Sequence, residues 1–570
     1  MGLFEWNRTG YGRSWKIEIA PEQAGTPGDL LVKQWPVLEF VKRPTRKDVG
    51  VYPRKLTIPI VDYDSANGYL RDAVFDTELE CELSLNSDVI FSGVIYQSDI
   101  IKAVGEDEYD TEIIVSDGLD KLNNSDLFSG TYTYDEFLKE LLWESGFELD
   151  IHFYTDWEED NASAGLVDTH RLTYEGDTYM QVLQRFCNDF GYQVYQENNT
   201  WIVRNIASFA GGSATRYVIT GSGTTSASVD LTESITGLYK STDEDIIRRI
   251  GIARTVFSFD IEDGDSSLSN SEFESFAGGE FDSWTRTGTP TQIEDSGTFF
   301  ARIEGGDRLQ QFIPGLVLFG DRITIDARAI AEFTTSPSGT EDAEWLEIIF
   351  HDYRGTRYWL QNNGTVSTTQ DYINVVDITQ PTMQFDATFI CVGATGFPAG
   401  FAGLMEVNAR IDTKFSGGST EFDHFDFDFV RVDYQQNARK FSKITSTATI
   451  GTLFSKEIEL SISQNNRHYI GNHIEYNNGV NWLAAQSFDG LSFSGKRARD
   501  EVIVRNINME MIRAEIDFAD YKGLTKIYAD GGKEFIPLAS KITIGLDDVE
   551  VTFIRHERTA DVISVSDEFS

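Results

Sequence analysis

The stretch EWLEIIFHDYRGTRYWLQ, residues 344–361, sets Trp345, Tyr353, Tyr358 and Trp359 around a turn. An exposed Trp or Tyr can stack on the apolar face of a sugar ring, which gives burial and orientation together. Aromatic residues on strands otherwise serve the core; of these four, Trp359 and Tyr358 are the candidate glycan contacts. A second stretch, HYIGNHIE, places His468, His473 and Glu475 close together. That spacing suits neither one helix face nor one strand face, so they read as ordinary surface residues. Two carboxylates near a sugar site could form a glycosidase pair, but that separation is spatial and not legible in sequence. There is no H-E-x-x-H, G-x-S-x-G or P-loop motif. The expectation is a protein that is not an enzyme. A third stretch, FDHFDFDF, alternates Phe425, Phe427 and Phe429 against Asp426 and Asp428, as a strand with a core side and a wet side does.

The elements that must hold these residues are mostly strands. The chain has 570 residues, enough for roughly three to five domains. Aromatic content of 13% with 48 Gly and 6 Met leans toward β-structure. With 92 acidic against 48 basic residues the net charge is −44, which opposes binding to nucleic acid. No apolar run approaches the ~20 residues that span a bilayer. MGLFEWNRTGYGRSWK lacks the pattern of a secretion signal, so a soluble chain made in the cytoplasm is expected. Cys81, Cys187 and Cys391 lie far apart and read as buried, reduced thiols.

Along the chain, residues 1–125 alternate as antiparallel strands and end in an Asp117-Gly118 turn. Residues 126–208 form a small α+β unit. Its first helix opens on a Thr133/Glu136 capping box and stops at Gly146; its second is capped by Asp177 and stops at Gly191. A hairpin then turns at Asn198-Asn199. Residues 209–265 are a connecting segment, loop-like from 209 to 228, where Gly, Ser, Thr and Ala dominate. Residues 266–434 and 435–570 again read as strands. The fold class is mainly β and multidomain.

Two resemblances emerge from these segments. VIFSGVIYQSDI followed by YDTEIIVSDGLDKLNN, the helix-plus-hairpin LTYEGDTYMQVLQRFCNDFGYQVYQENNTWIV, and the C-terminal GLTKIYADGGKEFIPLASKITIGLDDVEVTFIRH resemble hub proteins of phage tail tips and baseplates, of the type found in Bacteroidetes phages and prophages. Within 266–434, NSEFESFAGGEFDSW and FDFDFVRV resemble the opening and closing strands of carbohydrate-binding jelly rolls. In those modules an early acidic residue and a late Asp share a structural Ca2+; the matching positions are Glu274 and Asp428, with Asp426 beside them. Ser271 stands where the family's pattern has Gly. Trp284 is expected to pack in the sandwich. Together the resemblances imply a jelly roll inserted into a hub: a structural virion component in the viral tail, a homotrimer joining the tail tube to the spike or fibres. Its implied partners are other tail proteins (tube, distal tail, spike, fibres) and host surface glycans. The alternatives are a carbohydrate-active or cell-wall-degrading enzyme with a binding module, and the hub of a phage-like injection particle.

Overall fold

Short apolar-polar runs rich in β-branched and aromatic residues, clearest in RSWKIEI and KLTIPIVD, make the N-terminal segment a run of antiparallel strands, β1 (Phe4–Gly10), β2 (Arg13–Ile19), β3 (Val37–Phe40), β4 (Arg54–Tyr63), β5 (Leu79–Leu85), β6 (Asp88–Ile101) and β7 (Glu108–Ser116). This computed structural model describes residues 4–20, 28–41, 49–63, 78–101, 108–125, 127–157, 171–209, 213–235, 239–240, 247–248, 254–260, 267–304, 306–333, 342–352, 356–376, 382–398, 401–412, 422–435, 443–450, 457–461, 474–476, 480–481, 491, 493–507, 510–530, 533–556 and 563–569. Tyr353, His468 and His473 lie outside the described residues.

After β7 the Asp117-Gly118 turn is held from both sides. The buried Asp117 carboxylate accepts the N–H of Arg54 at 2.6 Å and that of Leu119 at 3.2 Å. Burial pushes its pKa up to about 7, against the pull of those two bonds. Gly118 has φ +84°, and a Cβ there would sit 2.6 Å from the Ser145 carbonyl, so the position requires glycine.

The α+β unit holds α1 (Tyr134–Trp143), β8 (Ile151–Thr155), α2 (Tyr179–Phe190), β9 (Tyr192–Glu197), β10 (Thr200–Asn205), β11 (Ser213–Thr220) and β12 (Gly223–Asp230). Helix α1 starts at the expected Thr133/Glu136 box, with the Glu136 carboxylate accepting the Thr133 N–H at 3.1 Å. The cap of α2 differs from expectation. It is Thr178, the last residue of its strand, boxed with Gln181, while Asp177 lies one position further from the helix and pairs with Phe128. Both helices bury their apolar stripes in one core with Trp157, Trp201 and Val203. The passage 209–228, expected to be loop, contains a regular hairpin, β11–β12.

Next come β13 (Arg254–Asp260) and the sandwich, whose main strands are β14 (Arg308–Leu318), β15 (Arg322–Phe333), β16 (Asp342–Asp352), β17 (Arg357–Leu360), β18 (Ala402–Asp412) and β19 (Phe422–Gln435). One sheet orders Thr285–Thr287, β14, β18, β16, β17 and Val366–Ser367; the other orders Thr291–Asp295, Thr298–Glu304, β19, β15 and Thr382–Ile390. Trp284, Trp345, Phe425 and Phe427 lie in the core between them. The sandwich's ends meet: Ser267 bridges Asp433. Below that bridge β13 pairs antiparallel with β20 (Lys443–Ile450), from Arg254↔Thr449 to Asp260↔Lys443. These two strands are the middle of a four-stranded sheet flanked by Glu457–Ser461 and Ile563–Phe569, and they form the stem by which the chain enters and leaves the sandwich.

The last segment, expected as strands alone, also contains α3 (Phe493–Ile507), followed by β21 (Glu510–Asp517), β22 (Lys533–Thr543), β23 (Asp548–His556) and β24 (Ile563–Phe569). Strand β24 pairs with β20, and α3 packs on the stem. β22 pairs with β3, so strands from both ends of the chain form one sheet, of 15 strands among the described residues. No helix among the described residues is long and apolar enough to cross a membrane.

Candidate functional site on the inserted sandwich

Strand alternation divides Trp359 from Tyr358. Tyr358 pairs with Phe350 and packs on the core side, against Phe397 and Phe401. Trp359 pairs with Ile349 and turns to the outer face. Trp345 is fully buried, so of the described aromatic candidates only Trp359 reaches that face.

Two rows of residues cross the outer face. One is Phe312, Glu406, Ile349 and Trp359; the other is Gln310, Asn408 and Glu347. The Asn408 amide bridges the two carboxylates, donating to Glu406 at 2.8 Å and to Glu347 at 3.2 Å. Arg308 (2.7 Å), Gln310 (2.8 Å) and the His351 ring (2.6 Å) close around Glu406. Trp359 Nε1 and Gln370 Nε2 donate to Glu347 at 3.2 Å, and Arg410 lies 3.4 Å from it. Arg410 also stacks over Tyr372 at 4.9 Å. Asn408, Glu347, Glu406 and His351 are buried beneath half-buried Arg308, Arg410, Trp359 and Tyr372. Burial pushes the Glu406 carboxyl up, but His351, Arg308 and Asn408 outweigh it and hold it below the ordinary carboxylate range. What this face offers a ligand is the half-buried Arg308, Arg410, Trp359 and Tyr372, held by the buried carboxylates beneath them, an arrangement that suits reversible contact with hydroxyl-rich ligands.

Sequence reasoning named Trp359, which lies on this face, but not Glu347, Glu406, Asn408 or Arg410. The signal for the last three was alternation in MEVNARID, where polar residues recur at every second position; in EWLEIIFHD Ile349 interrupts it and Glu347 carried no such mark.

Of the two expected calcium positions, Asp428 lies on β19 and Glu274 just before the short Phe276–Ala277 strand. Asp428 faces Arg328 at 3.4 Å, and Asp426 makes a two-bond pair with Arg302 at 2.9 and 3.0 Å. Glu274 is exposed, and the Asn270 carbonyl accepts the Trp284 indole N–H at 3.1 Å. Among the described residues no three His, Cys, Asp or Glu side chains come together for a metal. The Asn270 amide instead holds the Ser275 and Asp282 carbonyls, at 2.9 and 3.1 Å. The Phe/Asp alternation also ends early. The register of β19 against β15 shifts at Phe427/Phe429, so Val430 takes the next core position. Phe429 is left half-buried under the Arg431 guanidinium, 4.3 Å away.

No protein-family model matches the sequence, and no curated protein does. Among solved structures the chain is similar to the 43 kDa tail protein of prophage MuSo2 from Shewanella oneidensis, at 8% identity over 95% of this chain and 98% of that one, TM-score 0.34. It is also similar to a tail protein from Neisseria meningitidis MC58, at 11% identity over 45% of this chain and 63% of that one, TM-score 0.24. A third similarity is to CBM28, a carbohydrate-binding module specific for non-crystalline cellulose, at 15% identity over 30% of this chain and 97% of that one, TM-score 0.19.

Proposed function

We propose that the protein is a structural component of a phage-type tail, a hub that joins the tube to the spike or fibres and displays a sandwich for contact with host glycans. The observation that carries this reading is the β13–β20 stem. It makes the module an outgrowth of a scaffold whose two chain ends share one sheet, the arrangement implied by hub-like sequence on both sides of a jelly roll. A binding role is favoured by the occupancy of both carboxylates, Glu406 accepting from Arg308, Gln310 and Asn408 and Glu347 from Trp359, Gln370 and Asn408. Three copies around the tail axis would multiply a weak glycan contact.

A reconstruction of the assembled particle should place three copies at the end of the tube; density at any other location overturns the hub reading. On the glycan side, Trp359→Ala should weaken retention on insoluble polysaccharide about tenfold, the scale of one lost aromatic contact of about 1.5 kcal/mol. Equal retention by both proteins removes Trp359 from the site.

A further inference from the structure

Strand β12 pairs with β11 along its whole length without a bulge, from Thr220↔Gly223 to Ser213↔Asp230. On its other side no strand pairs with it among the described residues. Residues 223–229 read GTTSASV, exposed throughout except for half-covered Thr224 and Val229. Proteins usually blunt such an edge with Lys, Pro, a bulge or a covering element, because every second residue directs its N–H and C=O outward. Among the described residues none of these protects β12, in a chain of which 25% is charged.

The edge adjoins a groove. Thr224 donates to Asp135 at the start of α1 at 2.9 Å, and the β11–β12 turn rests on Trp143, whose ring lies 3.9 Å from a side-chain carbon built at Gly221. Trp143 lines the groove with Tyr132, Lys139 and four glutamates, Glu136, Glu140, Glu144 and Glu148. Glu136 is used in the helix cap and Glu140 accepts the Tyr179 hydroxyl at 3.0 Å. Glu144 and Glu148 are exposed. Like charges four apart, as at Glu140 and Glu144, weaken a helix, so local stability does not account for them.

We propose that β12 is a docking edge for an extended segment of a partner protein with Lys or Arg at alternate positions. Its main chain continues the β11–β12 ladder, and its cations enter the groove at the exposed Glu144 and Glu148, beside Lys139, which already lies 5.9 Å over the Trp143 ring. The open edge calls for a strand, and the glutamates select a basic one. This inference is independent of glycan binding by the sandwich.

The test uses the full chain and a fluorescein-labelled nonapeptide of alternating Lys and Thr, followed by fluorescence anisotropy. Saturable binding is expected, weakening as salt rises. N-methylation of alternate peptide amides should weaken it at least tenfold, since the ladder is then blocked. Glu144→Gln with Glu148→Gln should weaken it several-fold, and Thr225→Lys with Ala227→Lys should abolish it while circular dichroism is unchanged. Equal binding of the N-methylated peptide would show adsorption by charge alone and overturn the docking edge. Absence of binding at millimolar peptide also overturns it, as does a β12-mediated dimer of this chain in sedimentation.

Discussion

Arg204→Met is expected to remove about 3–5 kcal/mol of stability, because each buried acceptor left without its donor costs about 1–3 kcal/mol. Arg204 lies on β10 and is fully buried. Its Nε donates to Gln193 at 3.0 Å and its Nη2 to the Pro537 carbonyl at 2.7 Å, while Nη1 donates to the carbonyl of Leu524. Its guanidinium stands 5.3 Å from the rings of both Tyr195 and Phe209. Glu197 works beside it, accepting the Leu524 N–H at 2.8 Å and the Tyr521 hydroxyl at 2.9 Å. One side chain therefore ties the α+β unit to two points of the C-terminal segment. Methionine keeps much of the volume but leaves two buried carbonyls and an amide without their donor. Urea unfolding followed by tryptophan fluorescence should show a lower midpoint. A midpoint that places the variant within about 1 kcal/mol of the parent's stability would show that Glu197 and the apolar packing hold the two segments together without Arg204.

The parts of this fold that were legible in sequence are those governed by neighbours along the chain. The box at Thr133/Glu136, the helix stops at Gly146 and Gly191, and the turns at Asp117-Gly118 and Asn198-Asn199 each depend on two to four consecutive residues. Each is present; Asn198 and Asn199 both take positive φ, as a two-residue hairpin turn requires. What failed depends on distant partners. Strand β12 read as loop because both its faces are wet, so no apolar alternation marks it. Helix α3 was missed because its polar positions are buried rather than solvated. Lys496 pairs with Asp156 at 3.0 Å and Arg497 with Glu501 at 3.0 Å, so the residues that usually mark a helix's wet face lie inside. The polar face of the sandwich was half legible. Trp359 stood out by type, whereas Glu347 and Glu406 acquire meaning only when the register of β16 and β18 sets both beside Asn408.

Replacing residues 261–442 with Asn-Gly should leave a folded, soluble scaffold that has lost all retention on polysaccharide. Asp260 and Lys443 are directly opposite in an antiparallel pair, so two residues suffice to join them as a hairpin, and Asn-Gly adopts the positive φ values that turn needs. The β13–β20 register is unchanged, and β24 and α3 keep their contacts with β20. The removal is not free of consequence. Phe312, on the outer face of β14, is buried in the same core as the α+β helices, so the sandwich also touches the scaffold away from its stem. Uncovering that contact should cost about 1.5–3 kcal/mol, the value of burying one large apolar side chain. Phe312→Ala in the full chain measures this term alone, and its destabilisation should match that of the deletion within about 1 kcal/mol. If the deleted protein is insoluble while Phe312→Ala is folded, the stem does not close the scaffold by itself. The sandwich would then be part of the scaffold's core and not an outgrowth from it.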